Sequence, residues 1–219
     1  MRNEPIFGIA LFILFSTFIS QNKFTINKFI IKEIKIENNK ILEDQELIKI
    51  FSFLYSKNII FLNSYELRKN INQNSFIEKL EIKKIFPDKL VIKVFEKKPI
   101  AILIGKNQKK FYLSEKLDLI EYRKIFKFES LPIVKGEYES FKILYNNLIR
   151  LNFPIEQIYS YHHFEINRWN ITMNDKKILK LSTNNYTEDL VNFMNIKDKT
   201  NFEKYKIFDY RLKNQLILK

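Results

Sequence analysis

The chain has 219 residues and a formal net charge of +13, with 46% hydrophobic and 15% aromatic residues. Its three glycines and five prolines exclude a low-complexity or disordered chain, and the hydrophobic fraction supplies a real core. Cysteine is absent, which removes disulfides, thiolate metal sites, a cysteine nucleophile and a lipid-modified cysteine. The lysines stand mostly singly among isoleucine and asparagine, so the charge reads as solvated surface and compositional bias, and no nucleic acid partner is expected.

Residues 1–5 form a short tail, and Ile6 to Ser20 is an apolar run without a charge. The run is short for a span, which needs about 20 residues, but Gln21 and Asn22 extend it into the interface. No A-x-A cleavage pattern is present, so an uncleaved transmembrane anchor over residues 6–22 is preferred to a signal peptide. Arg2 favours a cytoplasmic N-terminus, with the bulk of the chain exported.

A first domain is expected over residues 27–98. Ile30, Ile34 and Ile36 read as a strand that ends at the turn residues Asn38 and Asn39. Asp44 is placed to cap a helix with Leu47, Ile48, Phe51, Leu54 and Tyr55 on one face. Asn63 followed by Glu66 resembles a capping box for a second helix carrying Leu67 and Ile71. Leu80 and Ile82, then Leu90, Ile92 and Val94, alternate as two strands around Phe86-Pro87-Asp88, an antiparallel hairpin with Pro87 preset for its turn. Pro99 cannot donate to a ladder, so Glu96-Lys97-Lys98-Pro99 reads as the hinge at which a new sheet begins. The order strand, helix, helix, strand, strand defines an α+β unit.

A second domain, residues 99–219, is expected to be β-rich with two short helices. Ile100, Ile102 and Ile104 begin a strand ended at Gly105, and Lys109 to Ile120 reads as another strand and turn. Phe141, Leu144, Tyr145, Leu148 and Ile149 have helical spacing, with Pro154 just beyond. Trp169, Ile171 and Met173 alternate, Asn174-Asp175 turns, and Ile178 to Leu181 returns. Thr187 is placed to cap a helix with Leu190, Val191 and Met194, and the chain closes on a strand around Ile207 to Arg211.

No phosphate loop, nucleophile elbow or zinc-protease motif occurs, and no cofactor or small-molecule substrate is expected. His162 and His163 are neighbours that a strand would point to opposite faces, so they cannot chelate one ion. Trp169 reads as core. The chain is not expected to be an enzyme.

The ordered set resembles the FtsQ/DivIB family of cell division proteins. The resemblance rests on the Asn-containing turn after the first strand, the Phe86-Pro87-Asp88 turn, and the Glu96-Lys97-Lys98-Pro99 ending behind one N-terminal anchor. It continues through Leu131-Pro132 to Gly136 and through Ile207-Phe208-Asp209-Tyr210-Arg211, with Leu212 where relatives carry an aromatic and Ser182 where they carry glycine. What it implies is a POTRA domain followed by a β domain in a single-pass bacterial inner-membrane protein at the division septum. The last strand would be an edge that recruits FtsB and FtsL, with Tyr210, Arg211, Leu212, Asn214, Leu216 and Leu218 as contact residues. Two other readings stand beside it: a POTRA module of outer-membrane assembly or secretion, and an exported basic protein that binds cell-wall polymer or nucleic acid.

Overall fold

The structure is a computed structural model and describes residues 8–9, 11–13, 26–63, 74–105, 107–199, 201–212 and 215–219. The expected tail 1–5 and most of the expected anchor 6–22 lie outside these residues. The described part of the anchor, 8–9 and 11–13, is helical and exposed. No helix among the described residues is long and apolar enough to cross a membrane. The expected second helix, from Asn63 to Ile71, also falls almost wholly outside them.

By contacts the chain divides into two units, Met1–Gln73 with Lys79–Phe95, and Asn74–Glu78 with Glu96–Lys219. The first is built on a three-stranded sheet in the order β1-β3-β2, with β1 at Glu33–Glu37, β2 at Ile77–Ile85 and β3 at Lys89–Glu96. β1 runs parallel to β3, from Glu33 opposite Lys89 to Glu37 opposite Lys93. Leu90, Ile92 and Val94 are all fully buried, as their period-2 spacing requires. Helix α1, Asp44–Phe51, carries Asp44 and Glu46 in its first turn and Lys49 in its last, which complements its dipole. Its Leu47 and Phe51 close on the sheet with Leu54, Ile31, Leu42 and Ile59. Each such side chain contributes about 1.5–3 kcal/mol by leaving water.

Two expectations here are corrected. The helix stops at Phe51 and tightens into a 3-10 turn over Ser52–Leu54, which carries Tyr55 off the buried face; Ile48, one position round from Leu47, is also exposed. Glu43, not Asp44, occupies the N-cap position. The link between β2 and β3 is the three residues Phe86-Pro87-Asp88, and the Phe86-Pro87 bond is cis. At the other end of β1, Asn38 adopts φ 69°, the left-handed conformation that asparagine tolerates, and its amide donates to the Val94 carbonyl at 2.8 Å.

The second unit contains one nine-stranded sheet, β12-β11-β10-β9-β8-β7-β4-β5-β6. Strand β4 is Pro99–Ile104, β5 Lys110–Ser114, β6 Leu119–Glu121 and β7 Ile133–Lys135. Strands β8, Ile158–Phe164, β9, Arg168–Met173, and β10, Ile178–Lys180, follow, then β11, Ile207–Asp209, and β12, Ile217–Leu218. Pro99 is the first residue of β4, where its missing N–H costs nothing.

Two parallel crossovers determine which face is covered. Helix α2, Tyr138–Arg150, links β7 to its parallel neighbour β8, and α3, Tyr186–Ile196, links β10 to its parallel neighbour β11. Both steps move in the same direction along the sheet, so right-handed connections put both helices on one face. Accordingly Phe153 stacks 6.2 Å from Phe193, and the Asn147 amide donates to the Tyr186 hydroxyl at 2.5 Å. Phe141, Leu144 and Leu148 of α2 and Leu190 and Phe193 of α3 bury against Val134, Tyr161, Trp169, Ile171 and Phe208. Trp169 is core, as its alternation indicates. His163 stacks on Trp169 at 4.5 Å while His162 stacks on Phe164 at 4.3 Å, so the two imidazoles occupy opposite faces. α3 begins at Tyr186 with Asn185 at the cap, so Thr187 lies inside it.

Gly136 follows β7 with φ 147°, and a Cβ there would lie 2.4 Å from the Cβ of His163. Both the backbone conformation and the approach of β8 require glycine. Gly136→Ala is therefore expected to destabilise the second unit by about 2 kcal/mol or more, read as a fall in its thermal unfolding midpoint in detergent solution.

Candidate partner-binding edge

The expected edge strand from Tyr210 to Leu218 is not continuous. β11 is an interior strand between β10 and β12, and the chain bends away after Asp209 before returning as β12. The reason lies in the acceptors available: the Tyr210 amide donates to the Lys180 carbonyl at 2.8 Å, which holds Tyr210 to β10. Tyr210 is buried, and its hydroxyl lies 3.1 Å from Asn192 Oδ1, to which it donates. Burial, with Asp189 nearby, pushes this phenol up from its ordinary range. Tyr210 is thus packed against the core while it also lines the cleft described below.

Arg211 and Asp209 are two apart on an extended backbone and share a side. The guanidinium makes a two-pronged bond to the buried Asp209 carboxylate through Nε and a terminal nitrogen, and the Arg211 amide donates to the same carboxylate at 3.2 Å. This bonding holds the Asp209 carboxyl below the usual carboxylate range. Leu212 is 53% exposed, while Leu216 and Leu218 are half-buried and pack against the core. Asn214 lies outside the described residues.

The open edge of this end is β12. Ile207 and Lys219 exchange both backbone bonds, at 2.9 and 3.1 Å. Antiparallel pairs alternate, so the N–H and C=O of Leu218, and of Leu216 before Ile217, point away from β11. At the opposite edge of the sheet the Glu121 amide of β6 donates to the Ser75 hydroxyl at 2.9 Å, which blunts that side.

Beside β12 is an open cleft of about 710 Å³, lined among others by Ser182, Glu188, Asp189, Asn192, Arg211 and Leu212. It sits where the carboxyl ends of the parallel strands β10 and β11 meet the first turn of α3. Ser182 donates its amide to Asp189 Oδ2 at 2.8 Å, so the serine is held at this turn by a side-chain acceptor. Asp189, Asn192 and Ser182 were not legible as site residues because they come from separate segments that only the β10-α3-β11 crossover gathers. The Asp209 and Arg211 spacing was the one local signal. Among the described residues no group of three or more His, Cys, Asp and Glu side chains could hold a metal ion.

Residues 29–97 match the family model of the FtsQ-type POTRA domain, so the chain is a POTRA-bearing protein with a mixed, helix-backed sheet after that domain. Its relatives are cell division proteins. It is 26% identical over 191 residues to cell division protein FtsQ of Rickettsia bellii (strain RML369-C), covering 85% of this chain and 71% of that protein. It is 31% identical over 85 residues to cell division protein DivIB of Clostridium tetani (strain Massachusetts / E88), covering 39% of this chain and 31% of that one. The major extracytoplasmic domain of DivIB from Geobacillus stearothermophilus aligns with a TM-score of 0.31 at 16% identity, over 49% of this chain and 96% of that domain, a likeness too loose to bear on the fold. The resemblance read from the sequence stands: the chain carries an FtsQ-type POTRA domain and is a relative of the FtsQ and DivIB cell division proteins.

The Asp209 carboxyl is depressed on folding, so its contribution to stability is present above the ordinary carboxylate range and is lost as pH falls through the lowered value. Asp209→Asn is expected to cost about 1–3 kcal/mol at neutral pH, because it leaves the Arg211 pairing incomplete. It should also flatten the loss of thermal stability below about pH 4. Melting curves from pH 7 to pH 3 for both proteins check this.

Proposed function

We propose that the chain is a non-catalytic, single-pass scaffold of the bacterial division machinery. Residues 1–5 lie in the cytoplasm, 6–22 anchor the chain in the inner membrane, and a POTRA domain (27–98) and a β domain (99–219) stand in the periplasm at the septum. The names of the relatives, cell division proteins FtsQ and DivIB, support a role in cell division. The outward backbone groups of β12, flanked by Arg211 and Leu212, carry the finer reading: this edge takes up an extended segment of an FtsB- or FtsL-like bitopic protein. Strand addition supplies affinity through main-chain bonds, and neighbouring side chains supply selectivity. The Phe86-Pro87-Asp88 turn and Pro99 are boundary features of the POTRA unit rather than contacts for the bitopic partner.

Leu218 gives a clean test, because its N–H is not used within the sheet. Leu218→Pro should leave folding and midcell localisation intact while lowering co-purification of the FtsB- or FtsL-like partner about tenfold or more. Arg211→Glu should weaken the same recruitment. Undiminished recruitment in both variants would sink the edge assignment, and uniform envelope distribution of the tagged wild-type chain would sink the division reading.

A further inference from the structure

The hairpin end of the first unit exposes an apolar patch where the chain enters it. Phe61 is 78% exposed and Phe86 59%, with Ile60 and Ile85 also exposed. They belong to the same end of the unit, where the Lys84 ammonium at the end of β2 donates to the carbonyls of Ile60 and Leu62, at 3.4 and 3.3 Å. The Asp88 carbonyl accepts from Lys32 and Glu33, which joins the hairpin tip to the start of β1. The chain reaches this end directly from its N-terminal side. Ile59 donates to Phe29 and Ile31 to Lys57, so residues 29–31 pair with the segment that continues into Ile60 and Phe61. Lys28, Lys32 and Lys57, all exposed, lie on the segments that meet at this end, and Lys32 also pairs with the Asp88 carboxylate at 3.5 Å.

Exposed phenylalanines and lysines at one end of a unit match a bilayer interface, where aromatic rings sit at headgroup level and ammonium groups meet phosphates. Covalent reach decides the occupant. Only residues 21–25 separate the apolar run ending at Ser20 from Ile26, and fully extended chain spans at most about 3.5 Å per residue, or about 20 Å in all. A patch tethered so near a membrane span meets lipid before any protein partner.

We infer that this end of the POTRA unit docks on the surface of the bilayer that holds the chain, with Phe61 and Phe86 inserted at headgroup level and the lysines against lipid phosphates. The inference rests on the reading of residues 6–22 as an anchor. It assigns the POTRA unit a fixed standing on the membrane rather than a free swing on a tether.

The natural chain has no cysteine, so single labels are available. Phe61→Cys, Phe86→Cys and, as a control beyond the far end of β1, Gln45→Cys are each labelled with an environment-sensitive fluorophore. The full-length chain is reconstituted in phosphatidylethanolamine–phosphatidylglycerol vesicles containing nitroxide-labelled lipid. All three positions are exposed, so folding is spared. Lipid quenching at positions 61 and 86 is expected to exceed that at 45 by about fivefold, since interfacial burial reaches only about 5–10 Å. Alkaline extraction of the same vesicles separates the failures. A chain that resists extraction but shows equal quenching at all three positions overturns the docking and leaves the anchor standing. A chain that is extracted overturns the anchor reading and the docking with it.

Discussion

The parallel pairing of β11 with β10 is the constraint on which the second unit depends. A parallel neighbour requires a crossover, and α3 supplies it, with Phe193 packed edge-on to Phe208 at 5.0 Å. That contact drives β11 into the interior of the sheet. The residues after Asp209 then have no further strand position on the β10 side, and the chain returns antiparallel as β12. One packing decision thereby buries Phe208 and Tyr210, pairs Asp209 with Arg211 and leaves a backbone edge at the end of the sheet.

The polar groups around that edge serve architecture more than chemistry. Asp209 is already satisfied by Arg211, the Tyr210 hydroxyl by Asn192, and the Ser182 amide by Asp189. What remains open is the outward main chain of β12 and the exposed Leu212, and these suit strand addition. A short edge is also less hazardous than a long one: two residues present little surface for unwanted pairing.

Much of this fold could be read locally. The β2-β3 hairpin was legible because Leu90, Ile92 and Val94 carry strict alternation and Pro87 marks the turn; Asn38 was legible because asparagine accepts left-handed backbone. The helices α2 and α3 followed from i, i+3, i+4 spacing, but Ile149 and Val191, expected on their apolar faces, are exposed, and Phe193 is buried where the spacing named Val191 and Met194. Other features depend on distant partners. Nothing near Tyr210 says that the Lys180 carbonyl will take its amide, so a strand continuing to Leu218 and a strand that folds back look alike in sequence. Tyr55 was placed on the buried face because the spacing assumed an α-helix beyond Phe51, where the chain tightens instead, and Ile48 lies within the helix, one position round from the buried Leu47. The cleft beside β12 joins Ser182, Asp189 and Asn192 only after the crossover has formed.

The edge makes the account sharply testable in dividing cells. A photo-crosslinking amino acid is placed at the exposed Ile217 of β12 and, separately, at Leu119 of β6, the opposite end of the same sheet. The account predicts a light-dependent adduct between position 217 and an FtsB- or FtsL-like bitopic protein, and none from position 119. Adducts with that partner from position 119 alone would contradict it.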